Sequence, residues 1–127
     1  MKQMINTNSA PKPAGTYSQG IKAGNTVYIA GQIPMLPETL ELITGDFSAQ
    51  LNQVFKNIAA VADAAGGSLA HIVKLTIYVT DMENQPAVSE VMKKYFNEPY
   101  PARAVIEVSR LPKDVAVEVE SILVLGE

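Results

Sequence analysis

One arginine and two glutamates near the C-terminal end have side chains that could bind a carboxylate and activate water. Arg103 lies in one run of alternating apolar and polar residues, and Glu118 and Glu120 lie in a second. A guanidinium can hold a carboxylate through two parallel hydrogen bonds, and a nearby glutamate can orient or deprotonate water. The same residues also fit a cross-strand salt bridge on a solvated sheet, which would contribute only about 0 to 1 kcal/mol.

The position of these residues depends on how the two runs pair. They flank the segment 110–114, whose proline and aspartate favour a turn, so the sequence predicts an antiparallel hairpin. Side chains alternate between faces along a strand, so the two apolar rows are predicted to face the core. These rows are Ala104, Ile106 and Val108 in the first strand, and Val115, Val117 and Val119 in the second.

The predicted hairpin brings the charged residues together on its other face. That face carries Arg103, Val105 and Glu107 beside Ala116, Glu118 and Glu120. Pairing Ser109 with Asp114 puts Val105 opposite Glu118 and Arg103 opposite Glu120, within reach of long side chains. One guanidinium and two carboxylates are therefore predicted to converge on one surface.

The remaining elements follow from periodicity and from turn and cap residues. Strands are predicted at 1–7, 18–22, 26–31 and 72–80, with a turn at Ala23-Gly24-Asn25 and buried rows at Val27 and Ile29 and at Val73, Leu75, Ile77 and Val79. One helix is predicted from the Asp46 cap to Gly66-Gly67, with a polar face of Gln50, Asn52, Gln53, Lys56, Asn57 and Asp63. Another is predicted over 81–97 with Asp81 or Asn84 as its cap. His71 is expected to make local or surface polar contacts.

This order of elements predicts an α+β fold, a mixed six-stranded sheet with two helices on one face. The other face would carry Tyr28, Tyr78, Val105, Ala116 and Ile122 among polar residues. Such a half-apolar face is typical of a subunit interface, so a homo-oligomer is predicted.

Composition limits the function classes. The chain has 127 residues, 47% of them apolar, and fits one domain over 1–127. Its net charge of −3, with scattered lysines and arginines, disfavours nucleic-acid binding. It has no cysteine and one histidine, which excludes thiol chemistry and a zinc site built on histidines. No signal segment or membrane span is predicted, and the cytoplasm is the expected location.

Four motifs in order resemble the RidA (YjgF, or L-PSP endoribonuclease) family over nearly the whole chain. They are Asn8-Ser9-Ala10-Pro11, Gly15-Thr16-Tyr17-Ser18-Gln19-Gly20, Gly31-Gln32-Ile33-Pro34, and the C-terminal run Pro101-Ala102-Arg103-Ala104-Val105-Ile106-Glu107-Val108 with Arg110-Leu111-Pro112-Lys113-Asp114 and Glu118-Val119-Glu120. The resemblance implies a chorismate-mutase-like fold that forms a trimer, with clefts between neighbouring copies. It also implies hydrolysis of reactive 2-imino acids, such as 2-iminobutanoate and 2-iminopropanoate, to 2-keto acids and ammonia.

The resemblance assigns roles to individual residues. Arg103 would hold the substrate carboxylate with help from the Gly31 amide, Glu118 would activate water, and Tyr17 and Tyr100 would shape the cleft. No metal or organic cofactor is implied. Ser89 and Val105, also counted as substrate-binding, stand where the family often has asparagine and cysteine. Ala30 replaces a common hydroxyl-bearing residue. Together, these changes predict that the substrate range has shifted toward larger or more apolar imines.

Two other functions remain open. The same cleft could bind a small carboxylate without turnover, as a regulatory module. The older family names imply an endoribonuclease or translation inhibitor. That activity needs a basic track and usually a proton-transfer pair, and this acidic chain with one isolated histidine offers neither.

Overall fold

The computed structural model describes residues 1–126. Glu127, the last residue of the predicted domain over 1–127, lies outside the described residues. The strands are β1 Lys2–Ile5, β2 Gly20–Ala23, β3 Thr26–Gln32, β4 Ile72–Val79, β5 Ala102–Glu107 and β6 Val117–Val124. The helices are α1 Phe47–Ala64 and α2 Gln85–Tyr95, and short 3₁₀ turns precede β4, α2 and β6.

All six strands form one sheet in the order β1-β2-β3-β6-β4-β5. Neighbouring strands are antiparallel except β4 and β5, which are parallel. The predicted α+β class, mixed sheet and helix count are confirmed.

The N-terminal strands follow the local sequence. β1 lies at one edge of the sheet and falls within the strand predicted at 1–7. β2 and β3 are joined through Gly24, whose φ of +62° is one that residues with a Cβ rarely adopt. The predicted turn is confirmed.

The two helices also begin and end near their predicted positions. Asp46 caps α1, where its Oδ2 accepts a hydrogen bond from the Ala49 amide at 3.0 Å, and the chain leaves the helix through Gly66 at φ +91°. Before α2, the Asp81 carboxylate accepts from the Glu83 amide at 3.0 Å, whereas the Asn84 side chain makes no capping bond.

The core lies between the helices and one face of the sheet. Val27 and Ile29 of β3 are buried there, as predicted. The predicted rows of the other two strands are buried as well, namely Leu75, Ile77 and Val79 in β4, and Val115, Val117 and Val119 in and just before β6. Val73 was predicted to join this row, but it is 46% exposed. The register with β6 shifts between Ile72 and Lys74, which turns Val73 out of the row.

Two residues predicted on the polar face of α1 are buried instead. Asn57 Nδ2 donates to the carbonyls of Ile33 at 3.3 Å and Met35 at 3.0 Å, and Gln50 Oε1 accepts from the Ala116 amide at 3.0 Å. The sequence pattern missed them because a buried amide is tolerated where its hydrogen bonds are made. They fix the chain that follows β3 and the chain that enters β6.

The predicted hairpin between β5 and β6 is wrong, because β4 lies between them. The two strands do run in opposite directions. The connection of residues 108–116 is long enough to cross one intervening strand, a distance of about 10 Å. Alternation of apolar residues identifies a strand but does not identify its neighbours.

The predicted face of β5 is also wrong. Arg103, Val105 and Glu107 pair in parallel register with the buried residues Leu75, Ile77 and Val79, and therefore lie on the helix side of the sheet. Ile106 was predicted to face the core, but it lies on the opposite face of the sheet and is 41% exposed. The prediction failed because both faces of this edge strand carry apolar residues.

The sheet face opposite the helices, called the open face below, is half-apolar, as predicted. Tyr28, Tyr78, Ile122 and the exposed Val124 belong to it by register, together with Ile106 and the polar residues of β4 and β6. Val105 and Ala116, which were also predicted there, pack against the core instead. Residues 1–126 contain no helix with the length and hydropathy needed to cross a bilayer.

Candidate functional site

Arg103 extends from the edge strand β5 toward α2. Its Nη2 donates to Ser89 Oγ at 3.2 Å, and its Nη1 lies 3.3 Å from Met92 Sδ. Ser89 and Met92 are three residues apart and share one face of the helix. These two contacts orient the guanidinium and leave most of its donors free for a ligand.

This guanidinium lines a cavity of about 340 Å³, called the arginine cavity below. Among residues 1–126 the ion pairs are Lys93–Glu90 and Arg110–Asp114, so Arg103 has no carboxylate partner in the described chain. The other residues that line the arginine cavity are Ser89, Met92, Lys93, Tyr100 and Pro101. An unpaired, oriented arginine fork fits a carboxylate ligand.

Glu118 lines a second cavity, of about 390 Å³, called the glutamate cavity below. Glu118 shares the open face with Glu120 and Tyr78, because its core-side neighbours Val117 and Val119 are buried. The other walls come from the loop before β2, the end of β3 with the chain that follows it, and the turn before β6: Pro11, Lys12, Ala14, Tyr17, Ala30, Gly31, Gln32, Ile33, Met35, Pro112 and Lys113.

The surroundings of Glu118 alter its acidity. Partial burial of the side chain raises the pKa of the Glu118 carboxyl above its ordinary value, and the negative charge of Glu120 raises it further. Glu120 itself accepts a hydrogen bond from the Tyr78 hydroxyl at 3.1 Å. A carboxylate with a raised pKa is a stronger base, which suits proton transfer near neutral pH.

A buried glutamine holds the loop that forms one wall of the glutamate cavity. Gln19 Nε2 donates to the carbonyls of Thr7 at 3.0 Å, Ala10 at 3.2 Å and Pro11 at 2.9 Å, and its Oε1 accepts from the Thr7 amide at 2.7 Å. The loop has two prolines and little regular structure, so these bonds give it a defined path past Tyr17.

The structure divides the predicted site residues into two groups. Arg103, Ser89 and Tyr100 line the arginine cavity, whereas Tyr17, Gly31 and Glu118 line the glutamate cavity. The predicted convergence of Arg103 with Glu118 and Glu120 on one surface of a single chain is wrong. Two strand spacings, about 10 Å, and the thickness of the sheet separate Arg103 from Glu118.

Val105 lines neither cavity, and its role as a substrate contact stays a prediction. It packs against the core instead. Within one chain, the valine that replaces the family cysteine therefore contacts the core and not a cavity.

Sequence reasoning gave no site role to several residues that line these cavities, among them Met92, Lys93, Lys12 and Lys113. None of these four was predicted to contact a ligand. The three-residue spacing from Ser89 was the available signal for Met92. For Lys113 no sequence signal exists, because its position depends on a φ of +56° in the turn before β6.

His71 makes the local contact that was predicted. Its Nδ1 accepts a hydrogen bond from the Ser68 amide at 3.1 Å, next to the 3₁₀ turn before β4. In the described part of the chain, no three side chains of the histidine, cysteine, aspartate and glutamate types cluster closely enough to hold a metal ion.

Comparison with known proteins identifies the family. The family described as Endoribonuclease L-PSP matches residues 7–125. A RutC family protein from Pyrococcus horikoshii is 52% identical over 96% of this chain and 97% of its own. A Dermatophagoides farinae protein named 2-iminobutanoate/2-iminopropanoate deaminase is 43% identical over 98% of this chain and 97% of its own.

Solved structures agree with this assignment. RidA from the Antarctic bacterium Psychrobacter sp. PAMC 21119 has a TM-score of 0.94 and 51% identity, covering 97% of this chain and 99% of its own. Escherichia coli TdcF, whose structure holds bound serine, has a TM-score of 0.92 and 38% identity, covering 98% of this chain and 99% of its own. Together with the four ordered motifs, these matches establish that the chain belongs to the RidA (YjgF, Endoribonuclease L-PSP) family.

Proposed function

We propose that this protein hydrolyses 2-imino acids, such as 2-iminobutanoate and 2-iminopropanoate, to 2-keto acids and ammonia without a metal or organic cofactor. The observation that supports the proposal is that each chain holds two half-sites, the arginine cavity and the glutamate cavity. An arginine fork with no carboxylate partner among residues 1–126 lies in one cavity, and a half-buried glutamate with a raised pKa lies in another. The deaminase name of a relative that is 43% identical supports the same reaction.

The active unit in this proposal is a homotrimer with a chorismate-mutase-like fold. One chain holds its two half-sites on opposite faces of the sheet, so a complete site needs the arginine cavity of one copy beside the glutamate cavity of the next. A cyclic trimer repeats such a head-to-tail contact three times. Burial of the open face, with its exposed Tyr28, Ile106 and Val124, would stabilise that assembly.

Substrate binding uses both half-sites. Arg103, oriented by Ser89 and Met92, holds the substrate carboxylate through two hydrogen bonds, and the Gly31 amide adds a third. Tyr17 and Tyr100 form the walls around the substrate side chain. The serine in the TdcF structure supports a ligand of amino-acid size.

Glu118 then moves protons during hydrolysis. It accepts a proton from water while the water oxygen bonds to the carbon of the protonated imine, and the electrons of the C=N double bond move to nitrogen to give a neutral amine on the same carbon as the new hydroxyl group. Glu118 returns its proton to this amine, and the C–N bond then breaks and releases ammonia as the C=O bond forms. The hydroxyl proton passes to the Glu118 carboxylate and from there to solvent, which restores the starting carboxylate. The net reaction consumes one water and yields one 2-keto acid and one ammonia.

Mixed trimers test whether the site is shared between copies. Chains carrying Arg103→Ala and chains carrying Glu118→Ala, with different affinity tags, are co-expressed, and trimers with both tags are purified. Every mixed ring contains one contact with an intact Arg103 facing an intact Glu118, so about one third of the sites should be active. Ammonia release above the spontaneous rate, from imines generated by an amino-acid oxidase, measures the recovery.

The outcomes separate the competing functions. Parent activity with no recovery in mixed trimers would contradict the shared site. A parent protein that binds 2-ketobutyrate without accelerating ammonia release would instead be a binding or regulatory module. Cleavage of labelled RNA by the parent, lost in Arg103→Ala, would favour the endoribonuclease activity.

A further inference from the structure

Gly31 lies in an irregular part of β3. Ile29 pairs with Ser121 of β6, but Gln32 pairs with Val119, so three steps along β3 match two steps along β6. One extra residue is therefore inserted at Ala30 and Gly31, which forms a β-bulge. Such bulges bend a strand and redirect the backbone next to it, here beside Glu118.

Backbone conformation does not explain a glycine at this position. The glycines with φ in the left-handed region are Gly24, Gly45 and Gly66, and Gly31 is not among them. The space around its Cα does explain it. A Cβ on Gly31 would lie 3.0 Å from Glu118 Cδ and 3.2 Å from Cγ, and closer still to Oε2, whereas a Cβ on Gly15 would meet only the Tyr17 ring at 3.9 Å.

We propose that Gly31 is the positioning residue of Glu118: the volume that a side chain would occupy at position 31 is filled by the Glu118 carboxyl group. This role is separate from any hydrogen bond that the Gly31 amide makes to a substrate. The carboxyl group lies against the β3 backbone and forms part of the cavity wall that Gly31 also lines.

This packing also sets the environment of the carboxyl group. Its partial burial is the main cause of the raised Glu118 pKa. A methyl group at position 31 would push the carboxyl group outward into water. The displaced group is the far end of a flexible side chain, so it can rotate away at little cost to folding. Gly31→Ala should therefore fold normally and fail in proton transfer.

The first experiment follows the Glu118 carboxyl group directly. Glutamate labelled with ¹³C at Cδ is titrated by NMR in the parent trimer and in Gly31→Ala, with Glu118→Gln for signal assignment. Within one chain the charged and titratable groups around Glu118 are Glu120 on its own strand, Tyr78 on β4, and Tyr17, Lys12 and Lys113 around the cavity, and the proposed trimer adds Arg103 of the neighbouring copy. None of them changes in this comparison. A Glu118 pKa that falls toward that of an ordinary glutamate supports the proposal, and an unchanged Glu118 pKa overturns it.

The second experiment is kinetic and rests on the proposed deaminase function. Misplacement of a reacting group by about 1 Å can cost about 10²-fold in rate, so kcat of Gly31→Ala should fall by about that factor. In a Glu118→Gln background the same substitution should have little further effect, because the group it displaces no longer accepts a proton. Equal losses in both backgrounds, or a raised KM with unchanged kcat, would overturn the proposal in favour of the amide contact alone.

Gly67→Ala is the matched control. A Cβ there would also meet the flexible end of a side chain, Leu125 Cδ2 at 2.8 Å, but outside both cavities. It should leave kcat and the Glu118 titration unchanged. If the parent releases no ammonia, the proposed function fails, while the NMR comparison still tests Gly31. If the parent is active and Gly31→Ala matches it, only the present inference fails.

Discussion

The arginine cavity and the glutamate cavity hold their charged groups in contrasting ways. Arg103 is exposed at an edge strand and is oriented by two contacts from one helix, at 3.2 and 3.3 Å. Glu118 is half-buried on an inner strand, against a glycine. A guanidinium stays protonated in nearly any surroundings, so it needs orientation rather than burial. A carboxylate that transfers protons near neutral pH needs a raised pKa, and burial supplies it.

This contrast predicts that losses at the two cavities appear in different kinetic constants. The glutamate cavity should control the rate of the chemical step. The arginine cavity should control the affinity for the substrate carboxylate.

The largest effect is expected from Glu118→Gln. It keeps the shape and removes the base, so kcat should fall by about 10² to 10⁴ with little change in KM, measured as ammonia release. Glu120→Gln, on the same strand and face, should stay within about tenfold of the parent. It should also move the acid limb of the pH–rate profile to lower pH, because the negative charge that raises the pKa of Glu118 is gone. Equal losses in both variants would contradict a special role for the half-buried residue.

The next largest effect is expected from Arg103→Ala. Each lost hydrogen bond to a charged group is worth about 1.5 to 3 kcal/mol, so KM should rise by about 10- to 100-fold or more. Arg103→Lys should recover only part of the affinity, because an ammonium lacks the planar fork. The control is Arg110→Ala, whose exposed side chain pairs with Asp114 at 2.8 Å. A loss confined to kcat in Arg103→Ala would place this residue in the chemical step. It would contradict the division between a cavity that controls rate and a cavity that controls affinity.

A smaller effect is expected from Ser89→Ala. It removes one hydrogen bond that orients the guanidinium, which corresponds to about 0.5 to 1.5 kcal/mol, or a few-fold to about tenfold in KM. Ser89→Thr keeps the hydroxyl and should retain most of the affinity. If both variants bind 2-ketobutyrate like the parent in calorimetric titrations, Ser89 does not orient Arg103.

The smallest effect concerns the pH dependence of stability. The pKa of Glu118 is raised in the folded state, so ionisation of this carboxyl group opposes folding. As pH rises from the ordinary value of 4.5 through the raised folded value, the parent should lose stability relative to Glu118→Gln, and the difference should be constant above that range. Urea unfolding of both proteins at a fixed protein concentration measures this difference in the free energy of unfolding. A parent that gains stability over this range would contradict the direction of the shift.

Local features of the fold were predictable because they depend on neighbouring residues. The Asp46 cap, the Gly24 turn and the buried row of β3 need only helix and strand periods and the preferences of single residues. Gln50 and Asn57 show the limit of such reasoning. Their burial depends on carbonyl and amide groups from distant parts of the chain, at Met35 and Ala116.

The sequence by itself determined the element types, the core-facing rows of β3 and β6, and the identity of Arg103 and Glu118 as the residues with suitable chemistry. Only the tertiary structure decided that β4 separates their strands and that the two side chains lie on opposite faces of the sheet. The physical reason is that the alternation of apolar residues records two faces of a strand. It does not record which strand forms hydrogen bonds with it, nor which face the helices cover when both are apolar.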